Sequence, residues 1–147
     1  KEPETLREIA SLRPRIWEFT RFLTEVAGIE DVGARFERVV TFHDSCHALR
    51  ELGIKDGPRR LLANVRGLTL KEMTPPEECC GFGGTFSVKF PEISTGMLRA
   101  KIDAIPATGA EYVVGVDASC LMQIQGGLSR ARLPIGTMHI AEVLAQR

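Results

Sequence analysis

The sequence predicts an α/β domain with a mostly parallel sheet and helices on both faces. Three observations predict it. Short β-branched and aromatic runs recur along the chain, capped helical patterns stand between them, and one run is apolar almost throughout, as a strand buried on both faces must be.

The elements follow in order. Over the first 37 residues Leu6, Ile9, Leu12, Ile16, Phe19, Leu23 and Val26 recur at helical spacing, which predicts a helical N-terminal segment. Pro14 implies a break near its middle and Gly28 a stop. Two readings of its apolar stripe stand: a docking arm, or, the favoured one, a face packed on its own domain. From residue 38 onward strands and helices alternate. Arg38 to Phe42 reads as a strand, with Asp44 and Ser45 as N-caps of a helix through Ala48, Leu49 and Leu52 that stops at Gly53. Pro58 suits a first helical turn ahead of Leu61, Leu62 and Val65. Leu68 to Met73 reads as a second strand, followed by Pro75-Pro76, a glycine-rich loop and a helix from about Pro91 to Ile105. Glu111 to Val116 is the apolar run and is predicted to be central. Asp117 or Ser119 then caps a helix through Leu121, Ile124 and Leu128. A short strand near Ile135 and a helix from His139 to Ala145 close the chain.

Composition narrows the function classes. A chain of 147 residues can bury a real core, and 19 basic residues balance 19 acidic ones. Balanced charge supplies no field to gather nucleic acid or anionic lipid, so no nucleic-acid partner is expected. No apolar run is long enough to span a bilayer, and no signal or transit peptide is visible. Four cysteines without a secretory signal point to a reducing compartment, and the expected location is the cytoplasm. The chain opens on Lys1 rather than methionine, which fits a piece of a longer protein.

The cysteines carry the chemistry. Cys46 follows the first expected strand, Cys79-Cys80 the second and Cys120 the third. In an open parallel sheet the carboxyl ends of the strands gather at one edge, where such folds hold ligands, so topology alone brings these thiols together. Cys46 and Cys120 also open helices, whose N-termini favour thiolate. Gly81, Gly83 and Gly84 let the backbone approach and donate N–H bonds to sulfur, which makes them candidates for cofactor binding. The expected metal ligands are therefore Cys46, Cys79, Cys80 and Cys120. A lone cysteine is usually a small buried hydrophobe, but four placed after three successive strands fit that account poorly. Zinc prefers spaced pairs such as CxxC, and none is present. A multinuclear iron–sulfur cluster offers separate iron atoms to adjacent thiolates and is the favoured cofactor, with zinc the alternative.

His43 and His47 flank Cys46 and are weaker candidates, as ligands or proton carriers. His139 reads as a structural cap. The Gly81-x-Gly83-Gly84 run lacks the spacing of a dinucleotide fingerprint. Thiol–disulfide chemistry at Cys79-Cys80 is a third, weaker possibility.

At the same residues the chain resembles a known family. His43-Asp44-Ser45-Cys46-His47, the run from Cys79-Cys80-Gly81 to Lys89, and Ser119-Cys120-Leu121-Met122 resemble the cysteine-rich CCG domain, over residue 38 to the end. That domain occurs in heterodisulfide reductase and in the glycolate oxidase iron–sulfur subunit, and the fit is closest to the lactate-utilisation branch. Residues 38–147 would be the CCG module, the second of the two that members usually hold. The resemblance implies a cytoplasmic subunit, a component of an oxidoreductase rather than a complete enzyme, that passes electrons as a complex converts L-lactate to pyruvate. Its implied cofactor is a [4Fe–4S] cluster, or zinc in a module without redox work. Its implied partners are companion iron–sulfur and accessory subunits, with self-association also open. Where the family's widest motif ends in CxxC, this chain has Gln123, which leaves the four cysteines of an ordinary cluster. If substrate binds here, His43 or His47 would be the base and Lys89 or Arg50 the cation for the carboxylate.

Overall fold

Four short runs of strand-forming residues pair in parallel, so the chain must cross over between them, and helices fill the crossovers. In the computed structural model, which describes residues 2–147, Val39–His43 (β1), Thr69–Leu70 (β2), Tyr112–Gly115 (β3) and Gly136–His139 (β4) form one sheet. Its order is β2-β1-β3-β4, with every pairing parallel. Lys1, the first residue of the expected helical segment, lies outside the described residues. The helices are α1 (Glu2–Leu12), α2 (Phe19–Arg21, continued by a wider turn over Phe22–Val26), α3 (Asp56–Ala63), α4 (Thr85–Lys89), α5 (Pro91–Ala104), α6 (Ala118–Arg130) and α7 (Ile140–Leu144). The α/β expectation holds.

Strand alternation divides the core in two. Val40, Phe42 and Val114 face α3 and α7, where Leu61, Leu62, Ile140 and Val143 complete one cluster. Val113 faces the other way, toward Ile102 of α5 and Ile124 and Leu128 of α6. α5 and α6 approach closely because Gly127 lacks a side chain: a Cβ there would collide with Ile102 and Leu98. The chain leaves β1 for β2 on one side and returns past β1 to β3 on the other. The edge between the carboxyl ends of β1 and β3 is therefore the topological switch point.

Several expectations change. The second strand shrinks to Thr69–Leu70, because it is an edge pairing with β1 alone and Met73 turns into the core. The helix after β1 is a single wide turn, His47–Glu51. Ser45 caps it, its Oγ accepting the Ala48 N–H at 3.2 Å. Asp44 does not, because its carboxylate accepts two hydrogen bonds from Arg59, at 2.9 and 2.8 Å. The N-terminal stripe does not pack on its own domain: every residue from 3 to 17 is exposed, Ile16 to 74%. Pro14 falls in the tight turn Arg13–Arg15, after which the chain runs extended, so the stripe never continues into α2. Only from Thr20 and Leu23 onward does this segment join the fold.

Because residues 3–15 bury nothing, deleting residues 1–15 should change unfolding free energy in urea by less than about 0.5 kcal/mol. Ile124→Ala, at a fully buried position, should cost about 2–5 kcal/mol in the same measurement.

Candidate metal centre

The switch-point edge collects side chains from three connections. β1 ends on His43, which pairs in register with Gly115 of β3. Alternation turns Phe42 toward α3 and leaves His43 on the face that carries Cys80 and Cys120. Cys120 comes from the first turn of α6, and Cys80 from the loop after β2. The donor atoms of His43, Cys80 and Cys120 all lie within 4.8 Å of one another, and all three residues are buried. Both His43 ring nitrogens are buried without an oxygen or nitrogen hydrogen-bond partner among the described residues, and the ring interacts with the Cys80 thiol. Buried imidazole nitrogens ordinarily find partners, so two orphaned ones facing thiols fit a ligand role.

The other two cysteines form an outer pair. Cys46 is exposed, Cys79 is half-buried, and their thiols interact. Of these adjacent residues, Cys79 is half-buried and interacts with Cys80 and Cys46, whereas Cys80 is buried and shares a hydrogen bond with Cys120. All four cysteines are free thiols.

Local structure prepares these groups unequally. The Cys80 thiol is pushed down, first by a hydrogen bond from Cys120 and, against the cost of burial, by His43 and the Phe82 N–H. The same shared proton, with burial and the negative charge of Cys80, holds the Cys120 thiol up. Burial also raises Cys79, partly offset by the Gly81 N–H, which donates to its Sγ at 3.4 Å. Gly81 has positive φ, and a Cβ there would meet the Ser94 carbonyl, so only glycine fits. Gly83 and Gly84, also at positive φ, turn the exposed chain into α4, whereas Gly81 and Phe82 supply the N–H groups facing sulfur.

Asp117 caps α6, accepting from the N–H groups of Ser119 at 2.9 Å and Cys120 at 3.1 Å. Burial resists its charge, but these bonds with that of the Ser119 hydroxyl prevail and hold the carboxyl below its ordinary value. His47 is exposed and paired with Glu51 at 3.0 Å. Lys89 and Arg50 are exposed, in contrast to buried His43. His139 caps α7 as expected, its Nδ1 accepting the Ala141 N–H at 3.2 Å.

The cation that sequence reasoning missed is Lys101. It is fully buried in the core beside this cluster, with Nζ donating to the Pro76 carbonyl at 3.0 Å and the Met73 sulfur at 3.1 Å. Its signal was present: Lys101 falls in the apolar register of α5, with Leu98, Ile102 and Ile105.

Two measurements test this geometry. In metal-free protein, iodoacetamide should modify Cys46 first and Cys80 and Cys120 last, as peptide mass spectrometry would resolve; equal rates would contradict the inner and outer pairs. Asp117→Ala should cost about 1 kcal/mol in urea at pH 7. A carboxyl with a depressed folded pKa stabilises above its unfolded pKa, and the benefit is lost as pH falls through its folded pKa. The gap between the two proteins should therefore close below the ordinary value of 3.8.

The chain is similar to known proteins over most of its length. Residues 40–125 match the cysteine-rich domain known as CCG. "Lactate utilization protein A" of Bacillus cereus (strain G9842) is 42% identical over 146 residues, 99% of this chain and 61% of that protein. "Lactate utilization protein A 1" of Bacillus mycoides (strain KBAB4) is 48% identical over 143 residues, 97% of this chain and 58% of its own. "Lactate utilization protein A" of an Exiguobacterium species (strain ATCC BAA-1283 / AT1b) is 50% identical over 130 residues, 88% of this chain and 53% of its own. The chain thus spans 53–61% of the length of these curated relatives. With its match over residues 40–125 and its thiols at the switch point, this chain belongs to the cysteine-rich CCG domain family.

Proposed function

We propose that this chain is the iron–sulfur part of a system that oxidises L-lactate, or a similar 2-hydroxy acid, in the cytoplasm. The observation that carries the cofactor reading is the division of the donors into two pairs, Cys46 with Cys79 and Cys80 with Cys120. Adjacent cysteines that part in this way serve one ion poorly, whereas a multinuclear cluster presents separate iron atoms to each. Cys46, Cys79, Cys80 and Cys120 would hold the cluster, with the Gly81 and Phe82 N–H groups stabilising its sulfur ligands. When bound, such a cluster accepts and passes single electrons.

The names of the relatives support lactate as the setting. No helix among the described residues is long and apolar enough to cross a membrane. Of the groups wanted as base and cation for hydroxy-acid oxidation, His43 is buried among thiols, whereas His47, Lys89 and Arg50 are exposed. A surface hollow of about 580 Å³ between α5 and α6 is lined by Ser94, Leu98, Arg99 and Gln123, with none of the cysteines. These features favour a component that hands on electrons beside companion subunits, with substrate held elsewhere. Residues 38–147 are the unit proposed to hold the centre.

One observation favours a second reading. His43, Cys80 and Cys120 make a compact nitrogen-and-sulfur set of the kind zinc takes, with Cys46 or Cys79 as the fourth donor. Metal and acid-labile sulfide analysis of anaerobically reconstituted protein, with its visible spectrum, separates the two. About four iron and four sulfide per chain, in a brown protein bleached by dithionite, is expected. About one zinc in a colourless protein that takes up no iron would replace electron transfer with a structural role.

A further inference from the structure

A lysine without exposed surface is a rare and expensive thing to keep in a core. Lys101 is 0% exposed, and among the described residues no carboxylate pairs with it. Its two hydrogen bonds go to neutral acceptors, the Pro76 carbonyl and the Met73 sulfur. Neither acceptor carries a charge to balance the ammonium. It is not a snorkelling side chain either, because it has no exposed surface and its Nζ reaches Met73, a member of the core cluster that also contains Cys80 and Cys120.

The acidic groups whose charge can reach it are Glu78, Asp44, Cys80 and Cys79, in falling order of influence. Asp44 is already engaged by Arg59, so its charge is largely spent. Glu78 and the adjoining Cys79-Cys80 pair remain, on the loop whose Pro76 carbonyl Lys101 itself holds. Burial pushes the ammonium down, and these groups oppose the push. A metal centre ringed by thiolates carries excess negative charge inside a poorly solvated core, which is the condition that would repay a buried cation.

We propose that Lys101 is the built-in counter-ion of the thiolate centre, a buried positive charge that stabilises the metal-loaded state. This rests on the metal reading above. Lys101 is not a ligand. It acts on the centre through its charge.

Lys101→Met tests this, because methionine approximates the shape of the lysine stem and removes only the charge and its hydrogen bonds. Wild type and variant are loaded anaerobically with iron and sulfide, or with Zn²⁺ alone, and the rate of metal transfer to a chelator is measured. Melting temperatures of the two metal-free proteins are measured alongside. The counter-ion role requires metal to leave the variant about tenfold faster, while the metal-free variant melts at or above the wild-type temperature. With iron bound, the reduction midpoint should also move negative, since removing a positive charge disfavours the added electron. Equal rates of metal loss would overturn the proposal. So would a metal-free variant that melts well below wild type, because Lys101 would then be holding the Pro76 loop whatever the site contains. Wild-type protein that takes up neither metal would sink the metal reading itself, a result distinct from either of these.

Discussion

Everything at the candidate centre depends on the parallel pairing of β1 with β3. The register that sets His43 opposite Gly115 brings the ends of both strands to one level. The chain beyond β1 then carries Cys46, and the chain beyond β3 enters α6 at Cys120. The glycine at position 115 is part of that constraint. A Cβ there would crowd the Leu121 side chain at 3.3 Å and lie in ordinary contact with the His43 carbonyl at 3.5 Å, so a side chain is admitted only if Leu121 gives way. Because the chain leaves β1 for β2 on one side and returns past it to β3 on the other, the ends of β1 and β3 form the kind of edge where such folds hold ligands. The site is a product of strand order first and of residue chemistry second.

That topology also explains why the thiols differ. A residue just past a buried strand can turn inward beneath the next helix or outward over the sheet edge. Cys120, on the first turn of α6, turns inward and is 6% exposed; Cys46 turns outward. The vicinal pair spans the divide, Cys80 at 2% exposure and Cys79 half-buried. Proton sharing between Cys80 and Cys120 pushes the first thiol down and holds the second up, because a low dielectric disfavours two facing thiolates. A centre held by several thiolates would place further anionic sulfur in the core, which the nearby buried cation would offset.

Much of this was legible in the sequence. Strand-forming runs and caps gave the order of elements, and the cysteines could be assigned to strand ends from pattern alone. Asp117 was readable as one of two candidate caps, with Ser119, and the structure selects it because its carboxylate accepts the Ser119 and Cys120 N–H groups. Asp44 looked equally good and was not, because Arg59, fifteen residues on, competes for its carboxylate, and local pattern cannot register a distant partner. The N-terminal stripe failed for a related reason. Periodicity reports that a face is apolar, but whether anything covers it depends on the path after Pro14, which carries the stripe away from the core.

His43 and Lys101 mark the boundary of that legibility. Both are polar residues at positions where the pattern calls for an apolar one: His43 ends a buried strand, and Lys101 sits in the apolar register of α5. Sequence pattern can flag such residues as misfits but cannot say that the misfits share a neighbourhood, since 58 positions separate them in the chain. The fold supplies that fact, placing an unpartnered imidazole and an unpaired ammonium around the same inner thiols. A core built only for stability would replace both with leucine or methionine. Their joint presence is better explained by a charged occupant than by packing, because only such an occupant gives the imidazole something to bind and the ammonium something to balance.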